Sequence, residues 1–268
     1  MKPKALVTLA TNDFLQIWKN VCLENWQEWA YRNNYEIHIF NKPLDKTLRA
    51  QSRSHAWQKL LAMTHEKILD YSYAFWLDAD ILINSSSPDP ITNLDQNKIA
   101  VTVETGSKFS DDNSFIKRAR EETFKVNNIS SNYYEGWGFD GSKRPLFNSG
   151  VIGFNPKLHK RFLLDIYHKW EDGGEVMLYN KKLGSIHEMI PFNLSVQNYS
   201  WQLINSKYNQ LVFPIHNASN LTSPEKTCLY LNVKPCNNVD DLIVELFRKS
   251  YFLHFAGVKE YMIHIAEK

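Results

Sequence analysis

Asp78-Ala79-Asp80 lies between two uninterrupted apolar runs, Ala74-Phe75-Trp76-Leu77 and Ile81-Leu82-Ile83, and no other feature restricts the fold as much. Short apolar runs bounded by turn formers, here Asn84-Ser85-Ser86-Ser87-Pro88, read as strands buried on both faces. Two carboxylates one residue apart at the end of a buried strand lose water and repel each other, so they need a positive partner. A divalent cation meets both demands. Strand alternation turns Asp78 and Asp80 to one side and Ala79 to the other. Mg²⁺ and Mn²⁺ favour such oxygen ligands and leave coordination positions for substrate phosphates. The competing reading is a polar turn after a strand. The chain has no other Asp-X-Asp, and the apolar flanks favour the metal.

The preceding residues repeat a strand–helix rhythm. Ala5 to Ala10 is an apolar run ending in the polar loop Thr11-Asn12-Asp13. A helix follows, with Asp13 as its cap and Gln16 three residues on; Phe14, Ile17, Trp18, Val21, Cys22 and Trp29 share one face until Asn33-Asn34. Glu36 to Phe40 reads as a second strand. Ser52 to Leu69 reads as a helix burying Trp57, Leu60, Leu61 and Ile68, and leaving Ser52, His55 and Lys59 on another face. Alternating strands and helices imply an α/β fold: a mostly parallel sheet with right-handed crossovers, helices on both sides and a small mixed β portion. In such sheets ligands bind beyond the carboxyl ends of the strands, where Asp78 and Asp80 fall. Ile99 to Val103 is another strand, and the polar stretch from Thr105 to Tyr134 has helical portions but no clear core pattern and reads as a mobile or acceptor-facing insertion. Leu146 to Phe154 is a strand interrupted at Asn148-Ser149-Gly150, Leu158 to Trp170 a helix, and Pro191 to Gln197 and Leu211 to Pro214 are short elements. A helix near Val239 to Lys249 leads into Tyr251-Phe252-Leu253-His254-Phe255.

Composition narrows the class of function. The 31 Lys and Arg nearly cancel the 29 Asp and Glu, so no long-range field draws the chain to nucleic acid. The 268 residues suit one domain. Cys22, Cys228 and Cys236 lack metal-ligand spacing and read as reduced thiols. No apolar run reaches membrane-spanning length, so the expectation is a soluble, cytoplasmic protein, with peripheral membrane contact left open.

Phe75 to Ile83 closely resembles the metal-binding strand of A-type-fold glycosyltransferases. The likeness is greatest to the glycogenin and lipopolysaccharide-galactosyltransferase group and to the mannan and xyloglucan galactosyl/xylosyltransferase group. Three further segments agree in order: Trp57-Gln58-Lys59, Phe147-Asn148-Ser149-Gly150-Val151 and His254-Phe255-Ala256-Gly257-Val258-Lys259. The resemblance covers about Ala5 to Lys259 and would divide the single domain into a nucleotide-binding half, 1–103, and an acceptor-binding half, 104–268. It implies that Asp78, Asp80 and His254 hold Mn²⁺ or Mg²⁺, and that Gly257 and Lys259 approach the donor diphosphate. It implies too that Asn148, Ser149 and Gly150 meet the donor sugar or acceptor. His254 as a core histidine, and residues 148–150 as a plain bulge, are the competing readings. Lys59 and Arg53 either pair with phosphates or solvate a helix face, and Thr11 and Asn12 stand where this fold reads the nucleotide base.

The implied reaction moves a sugar from a nucleotide diphosphate donor, UDP-sugar favoured, to a glycan or other hydroxyl acceptor. Glu188 is the leading catalytic candidate. Glu188-Met189-Ile190-Pro191-Phe192-Asn193 is similar to the Asp-Gln-Asp-X-Leu-Asn stretch of the glycogenin-like group, with Met189 in place of its Gln. Asp140, in Gly138-Phe139-Asp140-Gly141, is the second candidate, or a turn residue. The matched segments favour retention over inversion at the anomeric carbon. A sugar nucleotidyltransferase would need a Gly-rich loop after the first strand, and Ala10-Thr11-Asn12-Asp13 has no glycine. A non-catalytic carbohydrate-binding protein would display its Trp residues, whereas Trp18, Trp29 and Trp57 fall on core stripes.

Overall fold

A computed structural model describes residues 3–126, 133–134, 137–170 and 187–266. Its strands are β1 (Lys4–Leu9), β2 (Tyr35–Phe40), β3 (Tyr73–Leu77), β4 (Ile81–Ile83), β5 (Ile99–Val103), β6 (Phe147–Phe154), β7 (Trp201–Leu203), β8 (Gln210–Leu211) and β9 (Phe252–His254). Six form one sheet in the order β2-β1-β3-β6-β5-β7. β1 runs parallel to β2 and β3, β7 parallel to β5, and β6 antiparallel to both β3 and β5. The sheet is therefore mostly parallel, as the strand–helix rhythm implies.

All five residues of β3 and all eight of β6 are buried, because both faces of the sheet are covered. Along β3, Tyr73, Phe75 and Leu77 pack on one face with Trp18, Trp26 and Trp29. Ala74 and Trp76 pack on the other with Trp57, Leu60, Leu163 and Phe192. The period-2 alternation of a strand thus feeds two apolar layers at once, which is why the sequence is apolar without interruption.

The helix after β1 is α1 (Asp13–Ile17), a π-helical turn at Trp18–Cys22, then α2 (Leu23–Asn33). Its N-cap is Asn12 rather than Asp13, at φ 52°. Asn34 ends it in the left-handed conformation that Asn tolerates. The helix expected over Ser52 to Leu69 is broken. α3 (Leu48–Gln51), a 3₁₀ turn at His55–Trp57, α4 (Gln58–Ala62) and a 3₁₀ turn at Glu66–Ile68 replace it. The breaks fall where Ser54 accepts from the Ala56 amide and His65 from the Lys67 amide, local bonds that compete with helix continuation. α5 (Ser114–Val126) lies in the stretch expected to be an insertion, and α6 (Pro156–Lys169) is capped by Asn155.

Ile81–Ile83 does not continue β3. It opens a second, mixed sheet, β4-β9-β8, with β4 antiparallel and β8 parallel to β9. The outer edge of β4 is covered by the helix after β1. Asn25 accepts from the Ile83 amide (2.8 Å) and donates to the Ile83 carbonyl (2.6 Å), and the Trp26 indole donates to the Ile81 carbonyl (2.8 Å). These bonds satisfy edge groups that would otherwise invite another strand.

Candidate metal centre and donor cavity

Asp78-Ala79-Asp80 is the junction between the two sheets. The Asp78 amide donates to the Gly150 carbonyl (2.9 Å), extending the β3–β6 ladder by one residue. The Asp80 carbonyl accepts from the Phe255 amide (2.9 Å), and Ile81 pairs with His254 across β4 and β9. Each acid is thus pinned by backbone of a different sheet. Their side chains converge with that of His254, and one ligating atom from each lies within 4.8 Å of the others.

His254 Nε2 stands 3.2 Å from an Asp80 oxygen and 3.8 Å from an Asp78 oxygen. Burial disfavours the imidazolium, yet Asp80 and then Asp78 outweigh it and raise the His254 pKa above the ordinary histidine value. Burial likewise opposes ionisation of Asp80, and His254 more than offsets this, holding that carboxyl below its usual range. Two carboxylates and an imidazole nitrogen converging at one point form a donor set suited to a divalent cation of Mn²⁺ or Mg²⁺ type.

Lys59 supplies fixed positive charge behind this cluster. Its ammonium lies 3.0 Å from Asp78, 2.8 Å from Glu188 and 3.1 Å from the Ser149 carbonyl. Burial alone would lower its pKa, but the Asp78 and Glu188 carboxylates hold it above the ordinary lysine value. The Ser149 hydroxyl donates to Glu188 (2.7 Å), and the Trp76 indole donates to Asp78 (2.7 Å). Glu188 is only 2% exposed, and the Lys59 ammonium and the Ser149 hydroxyl both meet its carboxylate.

A cavity of about 670 Å³ opens over the acids. Thr11, Asn12, Phe14 and His55 line one part; Lys59, Asp78, Asp80, His187 and Lys259 line the rest. The Thr11 hydroxyl and His55 Nε2 are 3.2 Å apart, and the Lys259 ammonium lies 4.9 Å from the Phe14 ring centroid. Gly257 takes φ +76°, a conformation that glycine accepts without strain and that turns the chain between His254 and Lys259.

Several residues expected at the site are elsewhere or turned away. Arg53 is buried against Trp57, with its guanidinium donating to the Tyr167 and Trp170 carbonyls at the end of α6. It cross-links to the helix end by satisfying those orphan carbonyls, and it is not among the residues that line the cavity. Asp140 is an exposed turn residue accepting from the Ser142 amide (2.8 Å), and it does not line the cavity. The Asn148 side-chain oxygen faces inward, accepting from the Gly150 amide (2.9 Å) and from Asn209 (2.9 Å). Residues 171–186, which precede Glu188, lie outside the described residues.

Other residues join the site without a signal in the sequence. Trp76 reads as core alone, His55 as part of a helix face, and nothing in the sequence singles out Asn209. Asn209 stands at the end of the 3₁₀ turn before β8, and β8 runs beside β9. Only that pairing brings it to His254, whose Nδ1 is 2.9 Å from the Asn209 side-chain oxygen.

Known structures resemble this one along nearly the full chain. The galactosyltransferase LgtC, in complex with donor and acceptor sugar analogues, superposes with a TM-score of 0.57 at 14% identity, covering 98% of this chain and 95% of that one. A glycosyltransferase involved in glycosylation of the major capsid of PBCV-1 gives a TM-score of 0.53 at 13% identity, covering 99% and 100%. This chain has the A-type glycosyltransferase fold. An active-site mutant of LgtC matches over the same extent, with a TM-score of 0.52. No protein-family model matches the sequence, and no curated protein matches it. Among the described residues, no helix is long and apolar enough to cross a membrane.

Proposed function

We propose that this chain is a metal-dependent glycosyltransferase that moves a sugar from a nucleotide diphosphate donor to a hydroxyl acceptor with retention. The observation that carries the reading is the convergence of Asp78, Asp80 and His254 beneath a cavity that also presents Lys259. Asp78, Asp80 and His254 would hold Mn²⁺ or Mg²⁺, which when bound offsets the charge that develops on the departing diphosphate. Lys259 adds a second cation for the same oxygens. Thr11, Asn12, Phe14 and His55 form the polar and aromatic wall suited to a nucleoside, with a UDP-sugar the favoured donor.

Lys59 bridges the Asp78 and Glu188 carboxylates at 3.0 and 2.8 Å, so their positions are set before substrate arrives. An inverting reaction needs a carboxylate free to take the acceptor's proton. The Glu188 carboxylate is held by the Lys59 ammonium and the Ser149 hydroxyl, which suits a role in positioning and charge stabilisation rather than proton abstraction. This favours retention.

A donor-hydrolysis assay tests the reading. The expected result is slow, metal-dependent release of nucleoside diphosphate from a nucleotide sugar, suppressed by chelator. Consumption of a nucleoside triphosphate with sugar phosphate would mark a nucleotidyltransferase instead. Binding of glycans with no turnover of any nucleotide would mark a carbohydrate-binding protein.

A further inference from the structure

We infer that Asn209 is a positioning residue for the metal centre, because it fixes the tautomer of His254 that leaves Nε2 unprotonated and facing the two acids. The inference rests on the metal-site reading above and adds a residue to it.

The Gly150 backbone N–H can only donate, and the atom it meets at 2.9 Å is therefore the side-chain oxygen of Asn148. An amide oxygen cannot donate, so the Asn209 atom 2.9 Å from that same oxygen is its nitrogen. The second hydrogen of this nitrogen is directed to the Thr102 hydroxyl, also at 2.9 Å. Both Asn209 donors are thereby used, and the remaining side-chain atom, 2.9 Å from His254 Nδ1, is its oxygen. His254 Nδ1 must then carry a proton. In a neutral imidazole the other nitrogen is an acceptor, and that nitrogen is the one facing Asp80 and Asp78.

Every step is buried. Thr102 and Asn209 are 0% and 1% exposed, His254 is 2% exposed, and water cannot readily replace a lost partner. The relay is also built into the sheet. The register of β5 against β6 shifts between Val101 and Thr102, and Thr102 then faces Asn148, placing the hydroxyl and the amide on either side of Asn209. The interruption at Asn148-Ser149-Gly150 thus serves the imidazole, and a metal-binding histidine is oriented from its far nitrogen.

The test has two arms. In wild-type protein without metal, at alkaline pH, the ¹⁵N shifts of His254 should show a protonated Nδ1 and an unprotonated Nε2; the reverse tautomer overturns the inference. In parallel, Mn²⁺ affinity is measured for wild type, Asn209→Leu and Asn209→Asp by electron paramagnetic resonance. Asn209→Leu should weaken Mn²⁺ binding about 10- to 100-fold, while Asn209→Asp, which still accepts from Nδ1 but turns an acceptor toward the Asn148 oxygen, should weaken it less. Equal affinity in wild type and a folded Asn209→Leu variant overturns the inference. A protonated Nδ1 in a wild type that binds no Mn²⁺ leaves the relay standing and refutes the proposed function.

Discussion

Gly150 and His254 are packed so closely that a β-carbon on the glycine would lie 2.4 Å from the imidazole Cε1 and 2.6 Å from Nδ1. Neither distance is tolerable, and the same β-carbon would meet the Asn148 oxygen at 2.9 Å. The glycine is required by close approach: its carbonyl accepts from the Asp78 amide while its Cα side lies against the imidazole.

Gly150→Ala should therefore displace His254. Overpacking of this kind costs about 1–3 kcal/mol, and the loss of the imidazole from the cluster should weaken metal binding more than it lowers stability. Urea unfolding and Mn²⁺ titration of the same variant check this. Unchanged metal affinity would show that His254 is not a ligand.

Lys59→Met should leave the Asp78 and Glu188 carboxylates facing each other without their shared cation. Breaking a buried ion pair from one side costs about 3–5 kcal/mol, and Glu188 is nearly inaccessible to water. Adding Glu188→Gln removes one of the stranded charges and should recover part of the loss. A double-mutant cycle in chemical denaturation measures both steps; additive losses would show that Lys59 and Glu188 act independently.

Asp80→Ala should abolish activity and leave the fold intact, since it removes a ligand and little core volume. Its thermal melt should stay close to wild type in the absence of metal, and the gain in melting temperature on adding Mn²⁺ should vanish. An unfolded variant would assign Asp80 a structural role.

His159 should make the protein sensitive to mild acid. It is fully buried, its Nδ1 accepts from the Asn155 amide (3.0 Å), and its Nε2 contacts the Asn97 carbonyl (3.1 Å). Burial lowers its pKa below the ordinary 6.5, and the bond to Asn97 offsets only part of that. The unfolded chain therefore takes up this proton first as pH falls. The contribution of the neutral ring is complete above about 6.5 and is lost as pH falls toward the depressed folded value. Unfolding free energies across that range should decline for wild type and decline less for His159→Gln.

The sequence was most legible where a local rule and the tertiary fold demand the same thing. The apolar run of β3 needs two covered faces, and the structure covers both. Asp78 and Asp80 are chemically implausible without a counter-charge, and they meet one in Lys59 and His254. Legibility ended where placement depends on pairing between distant segments. β4 looks like a continuation of β3, and only Asn25, Trp26 and β9 make it the edge of another sheet. Arg53 reads equally as a phosphate ligand or as a solvated helix-face residue; the helix breaks at Ser54, and its guanidinium goes to carbonyls at the end of α6. Asn209 is separated from His254 by 45 residues and comes beside it through pairing of β8 with β9, which no local pattern announces.

The central claim is that a divalent cation sits where Asp78, Asp80 and His254 converge. Anomalous scattering from crystals soaked with Mn²⁺ and a nucleoside diphosphate tests it most directly. One strong peak is expected within coordination distance of all three side chains, with diphosphate oxygens on its open side. No peak there, with nucleotide bound elsewhere, would contradict it.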